Sequence, residues 1–386
     1  MKKLFIDIIL VIFLVSLMLV KDNPTAAIFN KLAGVMIFVW WLVYSRKTYW
    51  SVVFTLYLLF IFYASIIPLF KDVNMEASFL ILKTMIQILF LMFFLYNIYI
   101  TDFSYTRMSL VLLVASLISY FGTYLGLVDM PVESEFNERI KGITSNSNTL
   151  ALMLTYGLIS FIYLMNRFKF KYHNVIMYTG ILFFIYSTNT TGSRKTFLAL
   201  IAILIFHFYN KLKTKRFIIV SIAIVGMFFV FSIQLDEIFQ ETLLGKRFFG
   251  DDNLELSTQH RGYLYQQAFT VFLNNPIVGI GLGNLRFFTA TNQVAHSYYM
   301  ELLSTTGLIG LAIIVPIYKI IFSKIMDVYR NIKAFKNEAR YGLMFLILFF
   351  IISFGFHMFN SIHHWIVIAI LISFIDKIKI ISDHEE

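Results

Sequence analysis

Three basic side chains in this sequence have the chemistry that a transfer reaction on a charged substrate needs. Arg194 begins one apolar segment, Arg261 lies early in a segment with helical periodicity, and His296 directly precedes another apolar segment. A guanidinium group can hold phosphate oxygens through two parallel hydrogen bonds. An imidazole can act as a general base near neutral pH. These residue types together predict a site that holds a diphosphate and accepts a proton from a second substrate.

Other patterns fit catalysis less well. The glycine-rich stretch 279–284 lacks both the G-x-G-x-x-G spacing and the lysine of a nucleotide-binding loop, so it predicts a flexible turn whose backbone approaches another group closely. The acidic run 251–255 is interpreted as surface charge rather than as a glycosidase carboxylate pair. The histidines are scattered, apart from the pair His363 and His364, and no H-E-x-x-H motif occurs. We therefore expect neither a metal nor a cofactor.

The elements that position these residues are predicted to be membrane helices. The chain has 386 residues, of which 59% are hydrophobic and 14% charged, a composition that excludes an ordinary water-soluble domain. A membrane-spanning helix takes about 20 mostly apolar residues. We predict about twelve transmembrane helices, at residues 4–20, 26–44, 49–70, 77–100, 107–127, 147–165, 174–189, 195–210, 217–234, 297–323, 341–357 and 361–376. The expected fold is an all-α integral membrane protein, with residues 1–386 as a single polytopic membrane domain.

The distribution of positive charge predicts how the chain crosses the membrane. The formal net charge is +10, but the lysines and arginines lie between apolar segments rather than on a soluble face, which argues against nucleic acid as a partner. They concentrate in alternate connecting segments, as the positive-inside rule requires if both termini are cytoplasmic. Residues 235–296 then form one long extracytoplasmic loop. From Thr258 onward this loop has the apolar periodicity of an amphipathic helix, which is expected to lie at the outer leaflet.

Three separated groups of motifs carry a resemblance to a known family. The first is R-x-x-G-x-x-x-x-x-N at residues 139–148, and the second is T-G-S-R at 191–194. The third is a long run that comprises Arg261, N-P-I-V-G-I-G-L-G-N at 275–284, H-S-Y at 296–298, Glu301 and G-L-I-G at 307–310. In this order, and on the same predicted side of the membrane, these motifs resemble the O-antigen ligase and polymerase superfamily.

The resemblance implies an inverting, metal-independent glycosyltransferase at the outer face of the bacterial cytoplasmic membrane. Its donor would be a glycan linked to undecaprenyl diphosphate. Arg194 and Arg261 match the family arginines and are expected to hold the donor diphosphate, while His296 matches the family histidine and is expected to be the general base. Ser297 stands where the family often has asparagine. Further substrate-binding positions are expected at Arg139, Asn148, Gly281, Asn284, Ser297, His363 and His364.

The sequence leaves three functions open. A polymerase would join lipid-linked repeat units into O-antigen or capsule, and this is the function we favour. A ligase would transfer the finished glycan to lipid A core or to a cell-wall acceptor. A transporter or flippase for lipid-linked oligosaccharide would need polar groups within the membrane, for which Lys83 and Gln87 are the main candidates. The expected partners are the glycan donor, the glycan acceptor, membrane lipid and other polysaccharide assembly proteins.

Overall fold

The described part of the chain is helical. The computed structural model describes residues 2–19, 24–45, 47–101, 104–122, 141–144, 146–209, 251–356 and 361–385, and no strand occurs among them. This confirms the all-α fold class. The predicted span 217–234 and the predicted site residue Arg139 lie outside the described residues.

The described residues form twelve α-helices, and eleven of them overlap predicted spans. Their bounds are α1 (Lys2–Leu19), α2 (Pro24–Tyr44), α3 (Val52–Phe70), α4 (Met75–Thr101), α5 (Tyr105–Phe121), α6 (Ser147–Arg167), α7 (His173–Thr190), α8 (Arg194–Tyr209), α9 (Asp251–Asn274), α10 (Tyr298–Asn331), α11 (Lys336–Ile352) and α12 (Ile362–Glu385). Short 3-10 helices occupy Leu285–Phe288 and Lys333–Phe335. Helix α9 is the one that corresponds to the predicted amphipathic segment of the long loop.

Five of the described helices are long and apolar enough to cross a membrane. They are Pro24–Tyr44, Val52–Phe70, Met75–Ile100, Ser147–Arg167 and Tyr298–Asn331, and α5 is a shorter apolar helix. Together with the composition, these helices identify an integral membrane protein. The total of about twelve spans stays a prediction.

The chain divides into two compact units, each made of three segments. The first comprises Met1–Met36, Tyr105–Glu255 and Met344–Ile351, and the second comprises Ile37–Ser104, Leu256–Leu343 and Ile352–Glu386. In the first unit, α6 is central and packs against α5, α7 and α8, while α1 packs against α5. In the second unit, α4 packs against α12, and α3 packs against both α4 and α10.

Ion pairs join helices within each unit. In the first unit, Arg107 of α5 forms two hydrogen bonds of 2.8 and 2.9 Å with the carboxylate of Asp7 on α1. In the second unit, Lys324 of α10 lies 2.7 Å from the carboxylate of Asp376 on α12, which also accepts a hydrogen bond of 3.0 Å from the Tyr96 hydroxyl. Pairing of this kind offsets the cost of placing charges on apolar helices.

Candidate functional site

Helix α10 is interrupted at Gly307, the first glycine of the G-L-I-G motif. Gly307 has φ 61° and ψ −163°, a backbone conformation that is open essentially to glycine. The amides of Leu308 and Ile309, which begin the second half of the helix, donate to the carbonyl oxygens of Pro276 and Ile277 over 2.9 and 3.2 Å. Backbone groups freed by the break are therefore satisfied by the N-P-I-V segment, as an apolar environment requires.

The glycine-rich segment completes this exchange of hydrogen bonds from the other direction. The amides of Ile280 and Gly281 donate to the carbonyl oxygens of Ser304 and Thr305, over 3.1 and 2.8 Å. The Tyr63 hydroxyl on α3 lies within hydrogen-bonding distance of the carbonyl oxygens of Val278 (3.1 Å) and Thr306 (2.8 Å). Two motifs that are separate in the sequence thus form one structural element, which we name the glycine crossing (residues 276–283 with 304–309).

Two glycines allow the two segments of the glycine crossing to meet backbone to backbone. A Cβ atom on Gly279, whose φ is 75°, would lie 2.4 Å from the carbonyl carbon of Thr305. A Cβ atom on Gly307 would lie 2.4 Å from the carbonyl oxygen of Ile277. The predicted close backbone approach is confirmed. The predicted flexibility is not what the structure shows, because residues 279–285 are buried and hydrogen bonds hold both sides.

Asn284, expected to bind substrate, is fully buried and hydrogen-bonded inside the protein. Its Oδ1 accepts a hydrogen bond of 2.9 Å from the Asn74 amide, and its Nδ2 donates over 2.8 Å to Ser78 Oγ. Gly281, also expected to bind substrate, is buried beside it. These contacts fix the α3–α4 connection to the glycine crossing, which is a structural role.

A small apolar core connects α9 to the segment that carries His296. Its buried members are Ala268 and Val271 of α9, Ile280 of the glycine crossing, Leu285, and Ala295. Tyr265 and Met300 pack against its edge. Because Ala295 directly precedes His296, the same core determines the position of α9 and the backbone position of His296.

Arg261 is half-buried on α9. It lies in the part of this helix that belongs to the second unit, which begins at Leu256. One helical turn after Arg261, the Tyr265 hydroxyl donates a hydrogen bond of 2.7 Å to the carbonyl oxygen of Phe354. Burial raises the pKa of Tyr265, and the positive charge of Arg261 opposes this rise. The phenol is therefore a neutral donor, and the guanidinium group of Arg261 is close enough to influence it.

His296 presents an exposed side chain on an unusual backbone. Its φ is 53°, in the left-handed region that few residues other than glycine adopt. The Ala295 amide before it donates over 3.4 Å to Glu301 Oε2, and the Glu301 side chain is buried. Ser297 after it caps α10, since its hydroxyl accepts a hydrogen bond from the Met300 amide. Both neighbours of His296 are thus fixed to the first turns of α10.

Hydrogen bonds also join the surroundings of Arg261 to those of His296. His260 Nε2 lies 2.9 Å from the side-chain oxygen of Gln293, three residues before His296. The Gln267 side chain accepts a hydrogen bond of 3.2 Å from the Ala290 amide. The segment that leads to His296 therefore runs along α9, and one framework within the second unit carries Arg261 and His296, two of the three predicted catalytic residues.

Arg194 lies in the first unit, at the first position of α8. The turn before it is tight: Gly192 has φ 62°, and its amide donates over 2.9 Å to the carbonyl oxygen of Asn189. The Ser193 hydroxyl lies 2.9 Å from that of Thr196, and both side chains are buried. The prediction that Arg194 begins an apolar segment is confirmed, and Arg194 itself is half-buried.

The remaining predicted substrate-binding residues have varied surroundings. Asn148 is half-buried in the first turn of α6, in the first unit. His364 is fully buried, and its Nε2 lies 2.9 Å from the Tyr318 hydroxyl of α10. His363 is half-buried beside it. His364 thus holds α12 to α10, whereas substrate contact for Asn148 and His363 stays a prediction.

Two residues of the framework had no predicted role. Glu301 is a position of the third motif group to which the sequence assigned no role, although an ionisable residue inside a predicted span is itself a signal of function. Tyr63 gave no such signal, because its hydrogen-bond partners lie 215 and 243 residues further along the chain.

Residues 179–315 match the family described as O-antigen ligase, and this stretch contains Arg194, Arg261, His296 and Gly307. Arg139 and Asn148 precede it. No curated protein matches the chain. The chain is therefore a membrane protein whose residues 179–315 match the O-antigen ligase family, and this match confirms its resemblance to the O-antigen ligase and polymerase superfamily.

Proposed function

We propose that this protein is a membrane glycosyltransferase that joins undecaprenyl-diphosphate-linked oligosaccharide units into surface polysaccharide. The observation that carries the proposal is the pairing of Arg261 and His296 on one hydrogen-bonded framework inside the matched family segment. A half-buried cation and an exposed imidazole are the groups that transfer from a diphosphate donor needs. The family match supports a role in polysaccharide assembly.

The proposed reaction is a single displacement at the anomeric carbon of the donor sugar. The acceptor hydroxyl oxygen forms the new glycosidic bond while the bond between the sugar and the diphosphate breaks, so the anomeric configuration inverts. His296 takes the hydroxyl proton, and undecaprenyl diphosphate leaves with the bonding electrons. General-base catalysis typically contributes about 10² to 10⁴ in rate.

Arg261 and Arg194 are assigned to the donor diphosphate, whose negative charge grows as the bond breaks. Loss of one preorganised donor to such a charge typically costs about 10² to 10³ in rate. The half-buried position of Arg261 supports this assignment, because partial removal from water strengthens a charge–charge interaction. For Arg194 the support is its place in the T-G-S-R turn at a helix start.

The proposed topology places this chemistry on the outer face of the bacterial cytoplasmic membrane. It has about twelve spans in one polytopic domain, both termini in the cytoplasm, and residues 235–296 as the large outer loop. Apolar side chains exposed on α9, including Phe269 and Leu273, support contact of this helix with the outer leaflet. The undecaprenyl tail would lie in the same leaflet.

The decisive experiment uses purified protein in proteoliposomes with lipid-linked repeat units. We expect longer glycans on the lipid carrier with the natural protein and none with His296→Ala. His384→Ala, a change near the end of α12, is the matched control and should retain activity. Undiminished glycan growth with His296→Ala would refute the general-base assignment.

The same assay distinguishes polymerase from ligase. A ligase is the second candidate, because the matched family is described as O-antigen ligase. Transfer of the glycan to lipid A core or to a cell-wall acceptor, without longer lipid-linked chains, would establish it. Translocation without a new glycosidic bond would instead indicate a transporter. That third function has less support, since Lys83 and Gln87 are both exposed on α4 rather than buried in the interior of the protein.

A further inference from the structure

The connection between α6 and α7 alternates aromatic and basic residues. Phe168, Phe170 and Tyr172 are 52%, 44% and 61% exposed, and the intervening Lys169 and Lys171 are exposed as well. The positive-inside rule accounts for the sign of this charge but not for its alternation with exposed rings. Because α6 is a candidate span that ends at Arg167, the alternating residues belong at the surface of the membrane.

Four of these residues, Lys169 to Tyr172, line a cavity of about 690 Å³ within the first unit. Its lining includes Asn166, Lys169, Phe170, Lys171, Tyr172 and His173. Hydrogen bonds fix its wall: His173 Nδ1 lies 3.1 Å from the carbonyl oxygen of Phe168, and the His173 amide donates over 3.0 Å to that of Phe170. The volume is within the usual range of small-molecule sites.

The lining favours an anion with an apolar portion. Two lysines and two asparagines supply donors, and none of the described residues that line the cavity is acidic. The aromatic rings supply apolar surface at the depth where lipid headgroups meet acyl chains. A free inorganic anion would make no use of the exposed rings.

We propose that this cavity binds the headgroup of an anionic phospholipid, with Lys169 and Lys171 contacting the phosphate and the aromatic rings lying against the glycerol region. The site is separate from the proposed glycan chemistry and does not depend on it. It would hold the α6–α7 connection in a fixed position at the membrane surface.

The test uses the full chain, delipidated in a neutral detergent and titrated with phosphatidylglycerol while native mass spectrometry counts the bound lipid. We expect saturable binding that is about 30-fold weaker in Lys169→Gln/Lys171→Gln, from the usual contribution of two lysines near an anionic headgroup. Lys169→Arg/Lys171→Arg should retain most of the affinity. The matched control, Lys333→Gln/Lys336→Gln, removes the same charge from another exposed connection and should bind as the natural protein does.

Three results would overturn the proposal. Equal phosphatidylglycerol binding by Lys169→Gln/Lys171→Gln, checked for folding by its elution volume and unfolding temperature, would show that the cavity is not the site. Equal binding of phosphatidylcholine would show that charge is not recognised. Full displacement of the lipid by millimolar inorganic phosphate would assign the cavity to a small free anion instead.

Discussion

The Gly281 amide donates a hydrogen bond of 2.8 Å to the carbonyl oxygen of Thr305, two residues before the break in α10. In the opposite direction, the Leu308 amide donates over 2.9 Å to the carbonyl oxygen of Pro276. Each segment thus satisfies backbone groups that the other leaves open. The N-P-I-V-G-I-G-L-G-N and G-L-I-G motifs are therefore needed together, as the two sides of the glycine crossing.

Gly307→Ala should destabilise the protein. An alanine at φ 61° and ψ −163° is strained by about 1–3 kcal/mol, and its Cβ would overlap the carbonyl oxygen of Ile277. We expect a lower unfolding temperature in detergent and a lower yield from the membrane fraction. Since the overlap is with backbone, side-chain movement cannot relieve it.

Gly262→Ala is the matched control for this change. A Cβ atom at Gly262 would have no atom within 4 Å, and the residue lies within helix α9. Alanine there should leave stability unchanged or raise it by up to about 1 kcal/mol. Equal unfolding temperatures for the two variants would show that the break in α10 does not require glycine.

The helices could be predicted from the sequence because their signal is local. Apolar runs between polar breaks locate eleven of the described helices, and for α1, α2, α3, α4, α6, α7 and α8 both ends agree with the prediction within three residues. The break in α10 could not be predicted, since a glycine inside an apolar run is common in continuous membrane helices. The segment that stabilises the break, residues 276–281, lies earlier in the chain, within the predicted long loop 235–296. Nothing in the local sequence around Gly307 encodes this pairing.

The candidate site was harder to predict than the fold, because the family motifs mix scaffold residues with exposed ones. Asn284 and Ser297 were expected to bind substrate, yet one is a buried hydrogen-bonding centre and the other caps a helix. The left-handed backbone of His296 has no sequence signature. It arises from contacts on both sides, through Ala295 and Ser297.

Asn284→Ala should cost about 1–3 kcal/mol of unfolding free energy, because it removes the acceptor of the Asn74 amide and one of the two hydrogen bonds of the buried Ser78 hydroxyl, whose other bond goes to Leu282. Asn331→Ala, at the exposed end of α10, is the control and should change stability by less than about 0.5 kcal/mol. Denaturant unfolding in detergent measures both. A stable Asn284→Ala protein that fails to bind lipid-linked glycan would instead support the predicted role of Asn284 in substrate binding.

Arg261→Lys should lower the rate of glycan transfer by about 10² to 10³ without changing the unfolding temperature, because an ammonium group cannot reproduce a bidentate grip on phosphate. Arg194→Lys should behave in the same way if both arginines hold the diphosphate. Arg330→Lys, at an exposed position of α10, is the control for the chemical change. If either test variant transfers glycan as fast as the natural protein, the arginine changed in it does not hold the diphosphate.

Glu301 should act on the reaction through His296. Its buried carboxylate accepts the Ala295 hydrogen bond, so Glu301→Ala frees the backbone next to the imidazole, and misplacement of a catalytic group by about 1 Å can cost roughly 10² in rate. Glu301→Gln keeps an oxygen that can accept the same bond and should retain more activity. In the His296→Ala background, Glu301→Ala should lower any residual rate no further, since residues that act as one unit are not additive. A full additional loss in the double variant, or equal loss in Glu301→Gln and Glu301→Ala, would show that Glu301 does not position His296.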